Sequence, residues 1–189
     1  IDFGFDVETY FNPLIKQFTK FYNADYIEPI EFYGNCYNGN ADLYTTMSYL
    51  PHVDTFPGAD EGINPLNDYA FNLNVTKSDK VKTAFYSFNG KKSVCDWTPD
   101  DYDDHDRVRD RHKKIKSKDW RLLSSENFQN YQLEYVANIE YNSLILYPSH
   151  YWHSVYIKED WFTDTDRVTF TGFFETKTTS SKRKKLGFG

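Results

Sequence analysis

The sequence predicts a mainly β domain with flanking helices, built as a β-sandwich or barrel of the jelly-roll type. Short runs rich in aromatic and β-branched residues recur along the chain, and turn residues separate them. Aromatic residues make up 19% of the 189 residues, and flat rings cover a pleated sheet well. Helical periodicity is clear near the start of the chain, so a helix is expected to pack against the sheets.

The first elements in chain order are a helix and a strand. Residues 6–22 carry apolar side chains every three to four positions, which is the spacing of an amphipathic helix. Residues 23–42 are aromatic and rich in turn residues, and no strand is predicted there. A strand is predicted over 43–50, directly before His52 and Asp54.

The next region combines a loop with two strands. Residues 56–68 contain two Pro and two Gly, and we expect them to form a loop at the rim of a site. Tyr69–Val75 and Val81–Phe88 have strand character. The turn residues at 77–80 predict that these two strands form a hairpin.

Residues 96–121 form a charged segment, in which aspartates precede a run of arginines and lysines. Apolar side chains are almost missing from it before Trp120. We interpret it as a solvent-exposed insertion, part helix and part flexible. Two roles stay open for it: a lid over a site, or a solvated surface without a specific function.

The last third of the chain returns to strands. Strand character is found at 131–139, 143–147 and 167–175. We therefore predict a single domain over residues 1–176 that includes the charged insertion. Residues 177–189 are basic, lack apolar periodicity and are expected to form a flexible tail.

Composition limits the classes of function. The formal net charge of −6 argues against a general nucleic-acid binder. No apolar run approaches the roughly 18 residues of a membrane-spanning helix. Cys36 and Cys95 are interpreted as two free thiols in a reducing compartment, so a cytoplasmic protein is expected.

Three residues form a candidate metal site. His52 and Asp54 are two positions apart, so in extended backbone their side chains project to the same face. His153 lies beside a later strand and is the third ligand that we select, with His150 as its rival. Two imidazoles and one carboxylate are the facial triad of non-haem Fe(II) oxygenases, which leaves neighbouring coordination positions open.

Arg167 and Thr169 form a candidate anion site. Alternation along the last strand places both residues on one face, opposite apolar residues. A guanidinium on the inward face is costly unless it meets an anion, and Arg grips a carboxylate with two parallel hydrogen bonds. The alternative is that Arg167 faces outward and pairs with Asp164 or Asp166.

In this order, the motifs resemble the 2-oxoglutarate/Fe(II)-dependent dioxygenase superfamily. The resemblance covers about residues 43–175, and residues 142–174 are most similar to the small prolyl-hydroxylase-like members. The motifs that carry it are His52-Val53-Asp54, Trp152-His153-Ser154-Val155 and Arg167-Val168-Thr169.

The resemblance implies a cupin-like, double-stranded β-helix jelly roll with Fe(II) held by His52, Asp54 and His153. It also implies that Arg167 binds the distal carboxylate of 2-oxoglutarate, with Thr169 as its hydroxyl partner. Such an enzyme uses O₂ to decarboxylate 2-oxoglutarate to succinate and CO₂ while it hydroxylates an unactivated C–H bond. The carboxylate of the triad favours hydroxylation, since halogenating members lack it.

The substrate and some residue roles stay open at this point. A peptidyl side chain such as proline and a free small molecule suit the hydroxylase equally well. Tyr44, Tyr49 and Tyr86 are candidates for contacting the proximal carboxylate or the substrate, and none is assigned. Two other functions remain: a cupin-type metal-binding jelly roll without 2-oxoglutarate, for which Arg167 is dispensable, and a non-enzymatic binding module.

Overall fold

The computed structural model describes residues 7–37, 51–54, 68–112, 130–158 and 161–177. Within these ranges it contains two α-helices, a short 3₁₀ helix and seven strands. The helices are α1 (Val7–Phe21), the 3₁₀ helix Val94–Asp96 and α2 (Pro99–His112). The strands are β1 (Tyr26–Tyr37), β2 (Asp68–Asn74), β3 (Lys82–Phe88), β4 (Tyr131–Asn138), β5 (Leu144–Pro148), β6 (His153–Val155) and β7 (Arg167–Lys177).

The strands form two antiparallel sheets. One sheet has four strands in the order β1-β7-β2-β5, and the other has three in the order β4-β3-β6. His52 pairs with His153 of β6 and so extends the second sheet by one more segment. If this segment is counted as the second of eight strands along the chain, the strand orders of the two sheets become 1-8-3-6 and 5-4-7-2. This is the strand order of a jelly roll, and it confirms the predicted mainly β fold with flanking helices.

Helix α1 covers the outer face of the four-stranded sheet, as its apolar spacing requires. Phe18 of α1 is buried and stacks on Phe174 of β7, with ring centroids 5.1 Å apart. The helix ends in a Schellman motif: the Ala24 N–H donates to the Thr19 carbonyl, and Asn23 has a φ of 49°. Asn accepts this left-handed conformation more readily than most residues, which explains why the helix stops there.

Helix α2 begins with a strong capping signal inside the charged segment. Pro99 occupies its first position, where the missing N–H costs nothing. The carboxylate of Asp101 accepts hydrogen bonds from the Thr98 backbone N–H (2.7 Å) and hydroxyl (2.6 Å), and it pairs with Lys91. Val108 of the same helix is buried in the core. Residues 99–112 are therefore anchored to the domain through one face.

Two predictions about the strands are wrong. The structure places β2 and β3 in different sheets, so the predicted hairpin does not form. It also contains β1, where no strand was predicted. The register of β1 on β7 shifts between Pro29 and Glu31, which is a bulge at a proline that cannot donate to the ladder. Pairing with β7 holds this segment extended despite its weak strand pattern.

The remaining predicted elements divide into those that are observed and those outside the described residues. The helix at 6–22 and the strands at 69–75, 81–88, 131–139, 143–147 and 167–175 are confirmed to within a few residues. The strand at 43–50, most of the loop at 56–68, the end of the charged segment and the tail beyond Lys177 lie outside them. No helix in the described part of the chain has the length and apolarity needed to cross a membrane.

Replacing Asp101 by Ala is expected to lower the free energy of unfolding by about 2 kcal/mol, since three charge-assisted contacts are lost. Urea denaturation at pH 7 measures this. The matched control is Asp103→Ala, an exposed carboxylate in the same helix, with an expected change below about 0.5 kcal/mol. Equal effects of the two variants would contradict the capping role.

The same contacts make the stability of the fold depend on pH. Hydrogen bonds from Lys91 and Thr98 hold the pKa of Asp101 well below its usual range. A depressed carboxyl pKa stabilises the fold above the unfolded-state value of about 3.9, and this contribution is lost as the pH falls further. The stability difference between the wild type and Asp101→Ala should therefore shrink below about pH 4.

Candidate metal centre and its cavity

Backbone pairing brings the two histidines of the predicted triad together. The His52 N–H donates to the His153 carbonyl and the His153 N–H donates to the His52 carbonyl, both at 2.9 Å. Residues that exchange both hydrogen bonds stand directly opposite each other, with their side chains on one face. The two imidazole rings accordingly lie 4.5 Å apart between centroids.

Asp54 completes the group from the same face as His52. Its backbone N–H donates to the Ser149 carbonyl at 2.8 Å, which continues the pairing beyond His52. Its Oδ2 lies 3.4 Å from His153 Nε2, and its Oδ1 lies 3.9 Å from His52 Nε2. One ligand atom from each of the three side chains lies within 4.8 Å of the others. The structure thus brings together the three residues that the sequence selected.

The chemistry of these three groups fits a divalent metal ion. The Asp54 Oδ2 atom is buried and has no hydrogen-bond partner among the described residues, which is costly for a carboxylate without a cation. The His153 Nδ1 lies 2.9 Å from the Tyr151 carbonyl oxygen. Because a carbonyl only accepts, Nδ1 carries the proton and Nε2 keeps its lone pair for a metal.

Burial shifts the pKa values of the group. It raises the pKa of Asp54 to about 6, and nearby His52 partly opposes this shift. Burial also lowers the pKa of His153 to about 4, against the hydrogen bond to Tyr151. At neutral pH, Asp54 is therefore ionised and His153 is neutral, which are the forms that bind metals.

His150, the rival third ligand, has a different environment. It is buried, and its Nδ1 lies 2.8 Å from the Ser93 hydroxyl. This contact ties the turn before β6 to the 3₁₀ helix, where Ser93 also accepts from the Cys95 N–H. Among the described residues, His150 is not part of the metal-ligating group.

A cavity of about 380 Å³ extends from the histidines and Asp54 into the space between the two sheets. Arg167, Thr169 and Thr171 of β7 line it from the four-stranded sheet, as alternation predicted. Arg167 is only 2% exposed, and its Nη1 donates to the Thr169 hydroxyl at 3.3 Å. The alternative of an outward-facing Arg167 is therefore wrong.

Tyr147 is a cavity residue that the sequence analysis missed. Its ring centroid lies 4.7 Å from that of His153. Burial raises the pKa of Tyr147 well above its usual value, and Asp54 and Tyr33 add to this effect while Arg167 opposes it. The phenol therefore stays protonated and can donate a hydrogen bond to an anion. The alternation of β5 could have identified it, since Tyr147 follows Ile145 on one face.

Of the three tyrosines that the sequence analysis named as candidates, the structure describes one. Tyr86 is buried, and its hydroxyl accepts from Ser154 at 3.2 Å. Tyr44 and Tyr49 lie outside the described residues. One wall of the cavity comes from the unpredicted strand β1, including Tyr33, Asn35 and Cys36.

Comparisons with known proteins give distant structural similarities. No protein-family model matches the sequence, and no curated protein matches it significantly. The N-substituted L-amino acid dioxygenase of Burkholderia ambifaria AMMD has a TM-score of 0.45 at 12% identity, covering 85% of this chain and 57% of that one. Its complex with alpha-KG has a TM-score of 0.46 at 11% identity, covering 87% and 62%.

A protein from E. coli strain K12 has a TM-score of 0.38 at 11% identity, covering 81% of this chain and 86% of that one. This chain thus spans about three fifths of the length of the dioxygenase. These similarities are too distant to assign an activity, so the function must be inferred from the residues of the site.

Replacing His153 by Ala is expected to weaken Mn(II) binding at least about 100-fold, because one of three ligands is removed. Calorimetric titration of the metal-free protein measures this. His150→Ala is the matched control and should change the affinity less than about twofold, even if it lowers the melting temperature through the lost Ser93 contact. A loss of metal binding in His150→Ala alone would show that the ligand is misassigned.

Proposed function

We propose that this protein is an Fe(II)- and 2-oxoglutarate-dependent dioxygenase that hydroxylates an unactivated C–H bond of a peptidyl (for example prolyl) or small-molecule substrate. One observation carries the proposal: His52, Asp54 and His153 line the same cavity as the buried pair Arg167 and Thr169. A metal-ligating group and a buried guanidinium in one enclosed space suit a ligand that chelates a metal at one end and has a carboxylate at the other.

The donor set favours iron. Two imidazoles and one carboxylate on one side of an ion leave neighbouring positions for a chelating ligand and O₂. When bound, the iron would supply the activation of O₂ that couples decarboxylation of the 2-oxo acid to hydroxylation. The protein holds the ligand atoms: the Tyr151 carbonyl fixes the ring of His153, and sheet pairing fixes His52 against it.

The opposite part of the cavity favours a carboxylate. Arg167 is almost fully buried, and a buried cation is strongly stabilised by an anion that it can grip with two hydrogen bonds. The hydroxyl of Thr169 accepts from Arg167 and keeps its own proton for donation. The protonated phenol of Tyr147 offers a further donor within the same space. These groups would orient the cosubstrate rather than react with it.

Replacing Arg167 by Gln is expected to raise the Kd for 2-oxoglutarate of the Mn(II)-loaded protein about 100-fold, which corresponds to about 2.7 kcal/mol. Metal affinity should stay within about twofold, because Arg167 is not a ligand. Thr169→Val should raise the Kd only about fivefold, since one neutral hydrogen bond is lost. Calorimetry on the anaerobic protein measures all three values.

Arg107→Gln on α2 is the control for charge alone, because it removes an exposed guanidinium paired with Asp104. It should leave the Kd unchanged. Failure of the metal-loaded wild type to bind 2-oxoglutarate would overturn the proposal. Metal binding without 2-oxoglutarate binding would favour a cupin-type metal-binding jelly roll. Binding of 2-oxoglutarate that is insensitive to Arg167→Gln would show that Arg167 does not hold its distal carboxylate.

A further inference from the structure

A row of oxidisable rings begins next to the metal-ligating group. Trp152 directly precedes His153, and its carbonyl accepts from the Tyr86 N–H at 2.9 Å, so it continues the pairing of β6 with β3. In extended backbone its indole points to the face opposite the imidazole of His153. This indole is buried and stacks on that of Trp97, with ring centroids 5.0 Å apart. Two stacked indoles therefore lie behind the metal-ligating group.

The row continues from Trp97 to the surface. The ring of Tyr102 on α2 meets the ring of Trp97 edge-on, with centroids 5.0 Å apart. Tyr102 is 38% exposed, whereas Tyr131, another ring beside Trp152, is buried. The rings of Trp152, Trp97 and Tyr102 thus connect the interior beside the metal-ligating group with solvent.

The chemistry of this row exceeds what packing requires. Hydrophobic packing needs side chains of the right bulk, and phenylalanine, which is abundant in this chain, provides that. The Nε1 of Trp97 is buried and has no hydrogen-bond partner among the described residues, which lowers stability in a way that a phenyl ring would not. Indole and phenol rings, however, lose and regain one electron far more readily than a phenyl ring. Electrons can pass between such rings when they are in contact.

A second row of rings shows the contrast. Phe85 lies between His153 and Tyr135, with ring centroids 6.4 Å and 6.5 Å away from it. Tyr135 is 64% exposed, so this row also leads from a metal-ligating histidine to solvent. Its middle ring is a phenyl group, which resists oxidation. The second row is therefore a natural control for the first.

We propose that Trp152, Trp97 and Tyr102 carry electrons from the surface to the metal site when O₂ is consumed without substrate. This inference rests on the proposed function. Decarboxylation of 2-oxoglutarate by O₂ without hydroxylation needs two electrons and two protons to yield succinate, CO₂ and one water. The electrons pass one at a time through the row, and a one-electron reductant such as ascorbate replaces each of them at Tyr102. The protons come from solvent. Side chains that line the cavity, such as Tyr147, are thereby spared oxidation.

The test traps an electron vacancy in the row. Anaerobic Fe(II)-loaded protein with 2-oxoglutarate is mixed with O₂ in the absence of substrate and reductant, and is then frozen for electron paramagnetic resonance. The wild type should give a tyrosyl radical signal, and both Tyr102→Phe and Trp97→Phe should lose it. Tyr135→Phe is the matched control and should keep the full signal. Tyr102→Phe removes only a hydroxyl from a partly exposed ring, so it serves even if Trp97→Phe does not fold.

Mass spectrometry of peptides provides a second readout. After repeated turnover with ascorbate and without substrate, Trp97→Phe should carry more added oxygen on cavity residues than the wild type. Its initial rate of succinate formation should equal that of the wild type, because none of the three rings lines the cavity. Equal oxidation of the cavity residues in both proteins would show that the indoles only pack the core, and would overturn the inference.

The outcomes separate this inference from the proposed function. If the wild type forms succinate but no radical, the electron route is wrong and the dioxygenase proposal stands. The same holds if the radical signal persists in both Tyr102→Phe and Trp97→Phe, because the oxidised side chain then lies elsewhere. If the wild type does not bind 2-oxoglutarate, both fail.

Discussion

The antiparallel pairing of His52 with His153 is the interaction on which the site depends. The two residues exchange both backbone hydrogen bonds, so their imidazoles face the same side, and Asp54 follows through its bond to Ser149. A slip of one residue would turn one imidazole to the opposite face of the sheet. The same pairing adds the segment that brings the jelly roll to eight. The backbone pairing that completes the jelly roll therefore also assembles the metal-ligating group.

The strand β7 shows how the protein combines a polar cavity with a stable fold. Its inward residues Arg167, Thr169 and Thr171 line the cavity, while Phe174 on the other face packs under α1. The apolar side chains of this sheet that pack under α1 therefore lie on its outer face, between the sheet and the helix. This arrangement leaves the inner face available for the polar side chains that line the cavity.

Much of the fold and of the site could be predicted from local patterns. Alternation placed Arg167 and Thr169 inward, and two-residue spacing placed His52 and Asp54 together; their roles stay predictions. The strand β1 was missed because its extended form depends on pairing with β7, a contact distant in sequence. The hairpin was wrong because a turn signal does not show whether the chain crosses between sheets. Tyr147 was missed because its contact with His153 joins two strands and is not visible in the local pattern.

In the proposed enzyme, one cavity holds both the metal and the 2-oxo acid in direct contact. Absorption spectroscopy of the anaerobic Fe(II)-loaded protein, titrated with 2-oxoglutarate, tests this most directly. Chelation of the iron by the 2-oxo acid predicts a weak visible charge-transfer band in the wild type, which glutarate does not produce and which His52→Ala abolishes. An Fe(II)-loaded protein that binds 2-oxoglutarate without such a band would contradict the account.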